Sequence, residues 1–74
     1  MEVLKGWDLF ETNKILSKSV DVYFKNGECL KMKITSFSMT AFLGEDAELF
    51  YKGHDTEGLN RTIEAFEIDY IVIP

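Results

Sequence analysis

Histidine and carboxylate residues cluster in one short stretch of this sequence. His54, Asp55 and Glu57 lie between Gly53 and Gly58, and imidazole and carboxylate groups are the usual transition-metal ligands and the usual acids and bases of catalysis. A metal centre, however, needs several convergent ligands held by a second layer of side chains. One histidine in a glycine-bounded segment offers neither, so we expect no metal site, no cofactor and no catalytic residue here.

Two further sets of residues have side chains that could bind a metal ion or react as a nucleophile. Glu45, Asp46 and Glu48 are carboxylates alone, and their spacing does not match a Ca²⁺-binding hand, so a solvated turn is expected. Cys29 is the only cysteine, which excludes an intrachain disulfide and indicates an ordinary strand residue. No serine or cysteine nucleophile has a base other than His54, and no glycine-rich phosphate loop is present. We therefore expect that the protein is not an enzyme.

Composition indicates one small folded domain covering residues 1–74. A hydrophobic fraction of 46% is too high for a disordered chain. A chain this short has a small core, so association with further copies of itself is expected. The lack of disulfides, of a basic and apolar leader and of an apolar run long enough for a bilayer predicts a cytoplasmic protein with no membrane segment.

The net charge of -5 is concentrated in the second half of the chain. Eight of the 13 acidic residues follow Leu43, together with only two of the eight basic residues. Such a surface repels phosphate backbones and suits a basic protein partner. A solubilising surface would have the same composition.

The sequence pattern predicts a short helix followed by strands. Asp8 as an N-cap and Glu11 three residues later predict a helix over residues 9–17, with Trp7 packed in a hydrophobic staple. Alternating apolar residues on both sides of Asn26 and Gly27 predict a β-hairpin. Strands are expected over residues 19–25, 28–37, 39–43, 47–52, 62–66 and 67–73, and a polar loop over residues 53–58. Several short strands joined by tight turns favour a mainly β, closed small barrel, because closure removes exposed sheet edges.

The hairpin resembles the first signature motif of the Sm-like proteins, and within them the Hfq-like family. The matching residues are Val20, Val22, Phe24, Asn26, Gly27, Leu30, Ile34, Phe37 and Leu43. The resemblance implies a short N-terminal helix before a five-stranded Sm-like (SH3-like) barrel, oligomeric assembly and RNA-associated regulation. The family usually has glycine at the position of Met32, aspartate at that of Ser38 and an aromatic residue at that of Thr40. These differences predict that the usual uridine site is absent.

Two hypotheses for function follow. In the first, the chain is a non-enzymatic oligomeric module that joins copies through residues 43–52 and 68–73, with Ile71 at the contact. RNA would then bind through aromatic and cationic side chains, for which the candidates are Tyr23, Lys25, Lys31, Lys33 and Lys52. In the alternative, the chain is a small acidic protein of the phage or mobile-element type that binds and inhibits or adapts another protein, using Glu45, Asp46 and Glu48.

Overall fold

A computed structural model describes residues 1–40 and 48–74 of the chain. Six strands, one short α-helix and two 3₁₀ turns make up the described fold. The elements in chain order are β1 (Glu2–Lys5), a first 3₁₀ turn (Gly6–Phe10), α1 (Thr12–Ile15), β2 (Lys18–Phe24), β3 (Cys29–Thr40), β4 (Glu48–Asp55), β5 (Asn60–Glu64), a second 3₁₀ turn (Ala65–Glu67) and β6 (Ile68–Ile73).

The strands form one antiparallel sheet in the order β1-β6-β2-β3-β4-β5. The prediction of a mainly β fold is confirmed, but the described strands do not close into a barrel through hydrogen bonds. A strand has two hydrogen-bonding edges, and β6 uses one for β2 and the other for β1. The barrel would close if β5 paired with the remaining edge of β6. That edge is occupied by β1, a strand that the sequence did not predict.

The predicted hairpin is confirmed. Val20 lies opposite Met32 and Val22 opposite Leu30. In the turn, Gly27 has a φ of 92°, a conformation that glycine adopts without a steric penalty. The amide of Glu28 donates a hydrogen bond of 2.9 Å to Oδ1 of Asn26. The turn at Asn26 and Gly27 and the alternation of apolar residues therefore specify the same register between β2 and β3.

The strand boundaries differ from the prediction in β3 and β4. β3 is one strand, Cys29–Thr40, where two strands broken at residue 38 were expected, and β4 continues to Asp55 into the predicted loop. Pairing shifts between Ile34 and Ser36, so Thr35 is an extra residue opposite Gly53 and Lys52. Such a β-bulge bends the strand.

The predicted short helix is present, but α1 covers only Thr12–Ile15 of the expected residues 9–17, and a 3₁₀ turn, Gly6–Phe10, precedes it. The backbone leaves the helical region at Glu11, with φ of -81° and ψ of 74°, which separates the first 3₁₀ turn from α1. Ser17 then adopts a φ of 64°, and its amide donates a hydrogen bond of 2.8 Å to the carbonyl of Ile34. The segment therefore follows the sheet as two short turns. None of the helical segments in the described residues is long and apolar enough to cross a lipid bilayer.

The core lies on the concave side of the curved sheet. Its members are the side chains that the alternation points inward and the anchors of the turns, namely Leu4, Leu9, Ile15, Val20, Val22, Met32, Ile34, Leu49, Tyr51, Ile63, Ala65, Ile68 and Ile71. Tyr51 is fully buried, and its hydroxyl donates a 2.6 Å hydrogen bond to the carbonyl of Leu9. This bond attaches the first 3₁₀ turn to β4.

Candidate functional site

An open groove with an aromatic lining runs between the two 3₁₀ turns and has a volume of about 760 Å³. Trp7 and Phe10 come from the first turn, and Phe66 comes from the second. Trp7 is 87% exposed and Phe66 50% exposed. Because exposed aromatic side chains in one concave place mark interaction sites, we call this feature the aromatic groove.

The first turn is anchored to the core, although its aromatic side chains face the groove. Leu9 is buried, and its carbonyl accepts the hydrogen bond from Tyr51. Gly6, at the start of the turn, has a φ of 56° that favours glycine. The rings of Trp7 and Phe10 lie 5.9 Å apart between centroids at 46°. Anchoring at Leu9 therefore fixes the turn and leaves Trp7 in solvent.

The second turn is attached in a similar way. Ala65 and Ile68 are buried and contribute to the groove lining, whereas Phe66 between them points outward. The carbonyl of Glu67 accepts a 2.9 Å hydrogen bond from the amide of Lys25, which ties the turn to the end of β2. Both turns that border the groove are thus attached to the rest of the fold by a hydrogen bond.

Two charged side chains, Lys25 and Asp69, line the aromatic groove. Within residues 1–40 and 48–74, neither of them forms an ion pair. The turns add the exposed carboxylates of Asp8 and Glu67. The immediate surroundings therefore carry more acidic than basic groups, in keeping with the net charge of -5.

A second surface lies on the convex face of the sheet, where Lys5, Tyr70, Tyr23 and Cys29 stand side by side across four strands. The rings of Tyr23 and Tyr70 are stacked, with centroids 4.6 Å apart and planes at 13°. Nζ of Lys5 lies 5.9 Å from the centre of the Tyr70 ring. The electrostatic effect of the neighbouring Cys29 side chain, and a hydrogen bond with it, raise the pKa of Tyr23. We call this surface the tyrosine face.

The structure brings together three of the five residues expected to bind RNA. Tyr23, Lys31 and Lys33 share the convex face, where Nζ of Lys31 lies 4.0 Å from the Asp21 carboxylate. Lys52 lies further along that face, opposite Ser36 and Thr62 on the flanking strands. Lys25 is separated from the other lysines and lines the aromatic groove.

The residues expected to bind protein are dispersed. Glu45 and Asp46 lie outside the described residues, and Glu48 is exposed at the start of β4. Ile71 is fully buried in the core of its own chain. Residues 43–47 of the first expected edge lie outside the described residues. The described parts of the two expected edges, residues 48–52 in β4 and 68–73 in β6, are internal instead, because β4 and β6 each pair with two neighbours and the edges of the described sheet are β1 and β5.

The stretch around His54 has a structural role at Asp55. This carboxylate is only 8% exposed, and it accepts hydrogen bonds from the amides of Glu57 and Leu59 and from Nε of Arg61, at 2.9, 3.0 and 2.9 Å. Desolvation works to raise the pKa of Asp55, but these bonds and the Arg61 charge outweigh it and lower the pKa. In the part of the chain that the structure describes, no three His, Cys, Asp or Glu side chains are grouped to hold a metal ion.

The aromatic groove could not be predicted from the sequence. The pattern predicts Trp7 in a hydrophobic staple beside a helix and Phe66 in a strand, whereas each lies on a 3₁₀ turn that also contains a buried residue, Leu9 in the first turn and Ala65 in the second. An available signal was the position of Trp7 directly after Gly6 and before Asp8, a setting typical of a turn.

Comparison of the chain with protein-family models, with curated protein sequences and with solved structures found no match.

Proposed function

We propose that the chain is a non-enzymatic binding module that attaches to another protein through the aromatic groove. The observation that carries this proposal is the 87% exposure of Trp7 in a groove that also contains Phe10 and Phe66. Tryptophan is enriched among the residues that dominate protein interfaces, because its large ring gains much from leaving water.

The attachment of the turns supports the same proposal. Hydrogen bonds from Tyr51 to the Leu9 carbonyl and from Lys25 to the Glu67 carbonyl hold the backbone on both sides of the groove. A surface that is already ordered loses little conformational entropy when a partner binds. The groove is therefore suited to bind without a large rearrangement.

We propose further that strands β2 to β6 are an open variant of an Sm-like (SH3-like) barrel. The support is the Asn26-Gly27 hairpin, the helix α1 before β2 and the bend of β3 at Thr35. Added to these elements is β1, which pairs along β6. Proteins with the same small fold have many different functions. The proposed function therefore rests on the aromatic groove and not on the likeness to a barrel.

Site-specific photo-crosslinking tests this function. Trp7 is replaced by p-benzoylphenylalanine in cells that make the protein, with the same replacement at exposed Thr56 as the matched control. We expect a defined protein adduct from position 7 that is absent from position 56 and is lost when Phe66→Ser is added. Identical adducts from both positions, or adducts to nucleic acid alone, would contradict the proposal.

RNA-associated regulation by an oligomer is the second candidate function. The observation in its favour is the tyrosine face, where Tyr23 and Tyr70 lie beside Lys5, Lys31 and Lys33. Base stacking needs a free ring face, but these two rings stack on each other and Lys5 lies over Tyr70. Fewer ring faces are therefore left for bases here than in the aromatic groove, so we place this candidate second.

A further inference from the structure

We infer that the aromatic groove takes a basic polypeptide segment and places an arginine or lysine side chain between the Trp7 ring and the Asp69 carboxylate. This inference rests on the proposed function, because it specifies the chemistry of the partner at the same groove. Its starting point is the combination of three aromatic rings and one carboxylate in a single lining.

The rings supply the first half of a cation site. A guanidinium or ammonium group is attracted to the face of an aromatic ring, most strongly to tryptophan. Trp7 is 87% exposed, and its contact with Phe10 is tilted at 46°, so the two rings are not stacked face to face. The indole surface is therefore open to a cationic side chain with an apolar stem.

Asp69 supplies the second half. It lies in the groove lining and forms no ion pair with any of the described residues. A carboxylate beside aromatic rings accepts a charge-assisted hydrogen bond from the same cation that lies on the ring. The irregular pairing between β2 and β6 next to Asp69, where Tyr23 pairs with Tyr70 and Phe24 with Ile68, leaves Asp69 outside the ladder.

The surrounding charge favours a basic partner over a second copy of this chain. Asp8 and Glu67 are exposed on the two turns, and the whole chain carries a net charge of -5. Two such chains repel each other, whereas a basic segment is attracted and oriented. Among the residues that the structure describes, Lys25 is the one base in the lining, and it should oppose a cationic ligand, which makes it a useful control.

Peptide selection tests the inference. Random peptides displayed on phage are selected against the full chain, and the enriched peptides are synthesised with a fluorescent label and titrated by fluorescence anisotropy, a readout that does not depend on Trp7, the only tryptophan. We expect enrichment of arginine or lysine next to apolar residues. Affinity should fall as salt is raised from roughly 0.05 to 0.5 M, because partly exposed charge pairs are screened.

Three variants assign the contacts. Trp7→Ala should weaken binding by about 30-fold or more, as for a residue at the centre of an interface. Asp69→Asn should weaken it about threefold, as for a partly exposed charge pair. Lys25→Gln should strengthen it by a similar factor, and circular dichroism confirms that each variant is folded.

The outcomes separate the inference from the proposed function. Equal responses to Asp69→Asn and Lys25→Gln would overturn the cation site. Enriched neutral or acidic peptides that still depend on Trp7 would overturn the partner chemistry and leave the groove as a protein-binding site. If no enriched peptide depends on Trp7 and photo-crosslinking at position 7 also fails, both the inference and the proposed function are wrong.

Discussion

At the scale of single residues, Tyr51 joins the core to the proposed binding surface. Its ring is fully buried on β4, and its hydroxyl holds the carbonyl of Leu9 at 2.6 Å. Leu9 in turn lies two residues from Trp7 on the first 3₁₀ turn. The position of the indole therefore depends on one buried hydroxyl group.

Removal of that hydroxyl should affect both stability and binding. In Tyr51→Phe the buried Leu9 carbonyl loses its donor, which should lower the free energy of unfolding by about 1–2 kcal/mol in urea titrations. Binding of an enriched basic peptide should weaken as well, because the turn is no longer fixed. If the free energy of unfolding and the peptide affinity are both unchanged in Tyr51→Phe, the hydrogen bond does not position the first 3₁₀ turn.

The same residue predicts how stability depends on alkaline pH. Desolvation by burial raises the pKa of Tyr51 from 10.0 to about 12, so the folded state favours the neutral phenol. The contribution of the neutral Tyr51 phenol to the free energy of unfolding is fully present below pH 10. It is lost as the pH rises towards 12, at about 1.4 kcal/mol per pH unit. Tyr51→Phe should lose this part of the alkaline decline, which urea titrations at a series of pH values would measure.

The burial of a side chain could be predicted from the sequence where it follows from the alternation within one hairpin. Alternation predicted that Val20, Val22 and Ile34 share a face, and all three are buried. It assigned Ile71 to a contact between subunits, but Ile71 fills the core of its own chain. Apolar periodicity shows that one face of a strand is buried. It does not show whether residues of the same chain or of another chain cover that face.

At the scale of elements, the bend of the β3–β4 pair depends on Gly53. A Cβ built at this position would collide with the carbonyl oxygen of Lys33 and would lie 3.0 Å from Cα of Ile34. The hydroxyl of Thr35, the bulged residue, donates a 3.3 Å hydrogen bond to the carbonyl of Lys52. Bulge and glycine together allow the two backbones to approach closely.

Gly53→Ala should therefore be costly. The methyl group meets backbone atoms that cannot rotate away, so we expect a loss of about 2 kcal/mol or more in the free energy of unfolding, measured by urea titration. His54→Ala, at the next position of the same strand, is the matched control and should change stability much less, because His54 is half-buried on the convex face. Similar losses in the two variants would rule out the collision as the cause.

Element types that depend on distant contacts could not be predicted. β1 is four residues long and has only Val3 and Leu4 as adjacent apolar residues, so it lacks the alternation that indicates a strand. Its conformation comes from pairing with β6. The segment after it has a helical spacing of apolar residues, but its Leu9 carbonyl bonds to Tyr51 on β4 instead of continuing a helix. The aromatic groove was missed for this reason, because it lies between two such segments.

At the scale of the whole molecule, we expect the net charge and the short edge strand β1 to disfavour association of several copies. Each copy carries a net charge of -5, and the described parts of the segments expected to join subunits, β4 and β6, are internal strands. β1, one true edge of the described sheet, is short and has charged Glu2 and Lys5 at its ends. Short, charged edges disfavour strand addition.

We expect light scattering to give the mass of one chain, 8.5 kDa, with no change when oligouridine or oligoadenine RNA is added. The physical reasons are the like charge of the copies and the stacking of Tyr23 on Tyr70, which uses one face of each ring. A multi-subunit mass that shifts with RNA, and no longer shifts in Lys31→Glu combined with Lys33→Glu, would favour the second candidate function instead.

The pairing of β1 with β6 also determines the order in which the sheet can form. Glu2 lies opposite Ile73, so this pair joins residues that are nearly the whole chain apart, whereas β2–β3 and β4–β5 are hairpins with short turns. Contacts of long sequence separation pay the largest loop-closure entropy and form late. β1 should therefore dock last, and until it does, newly made chains expose the edge of β6 to strand exchange with one another.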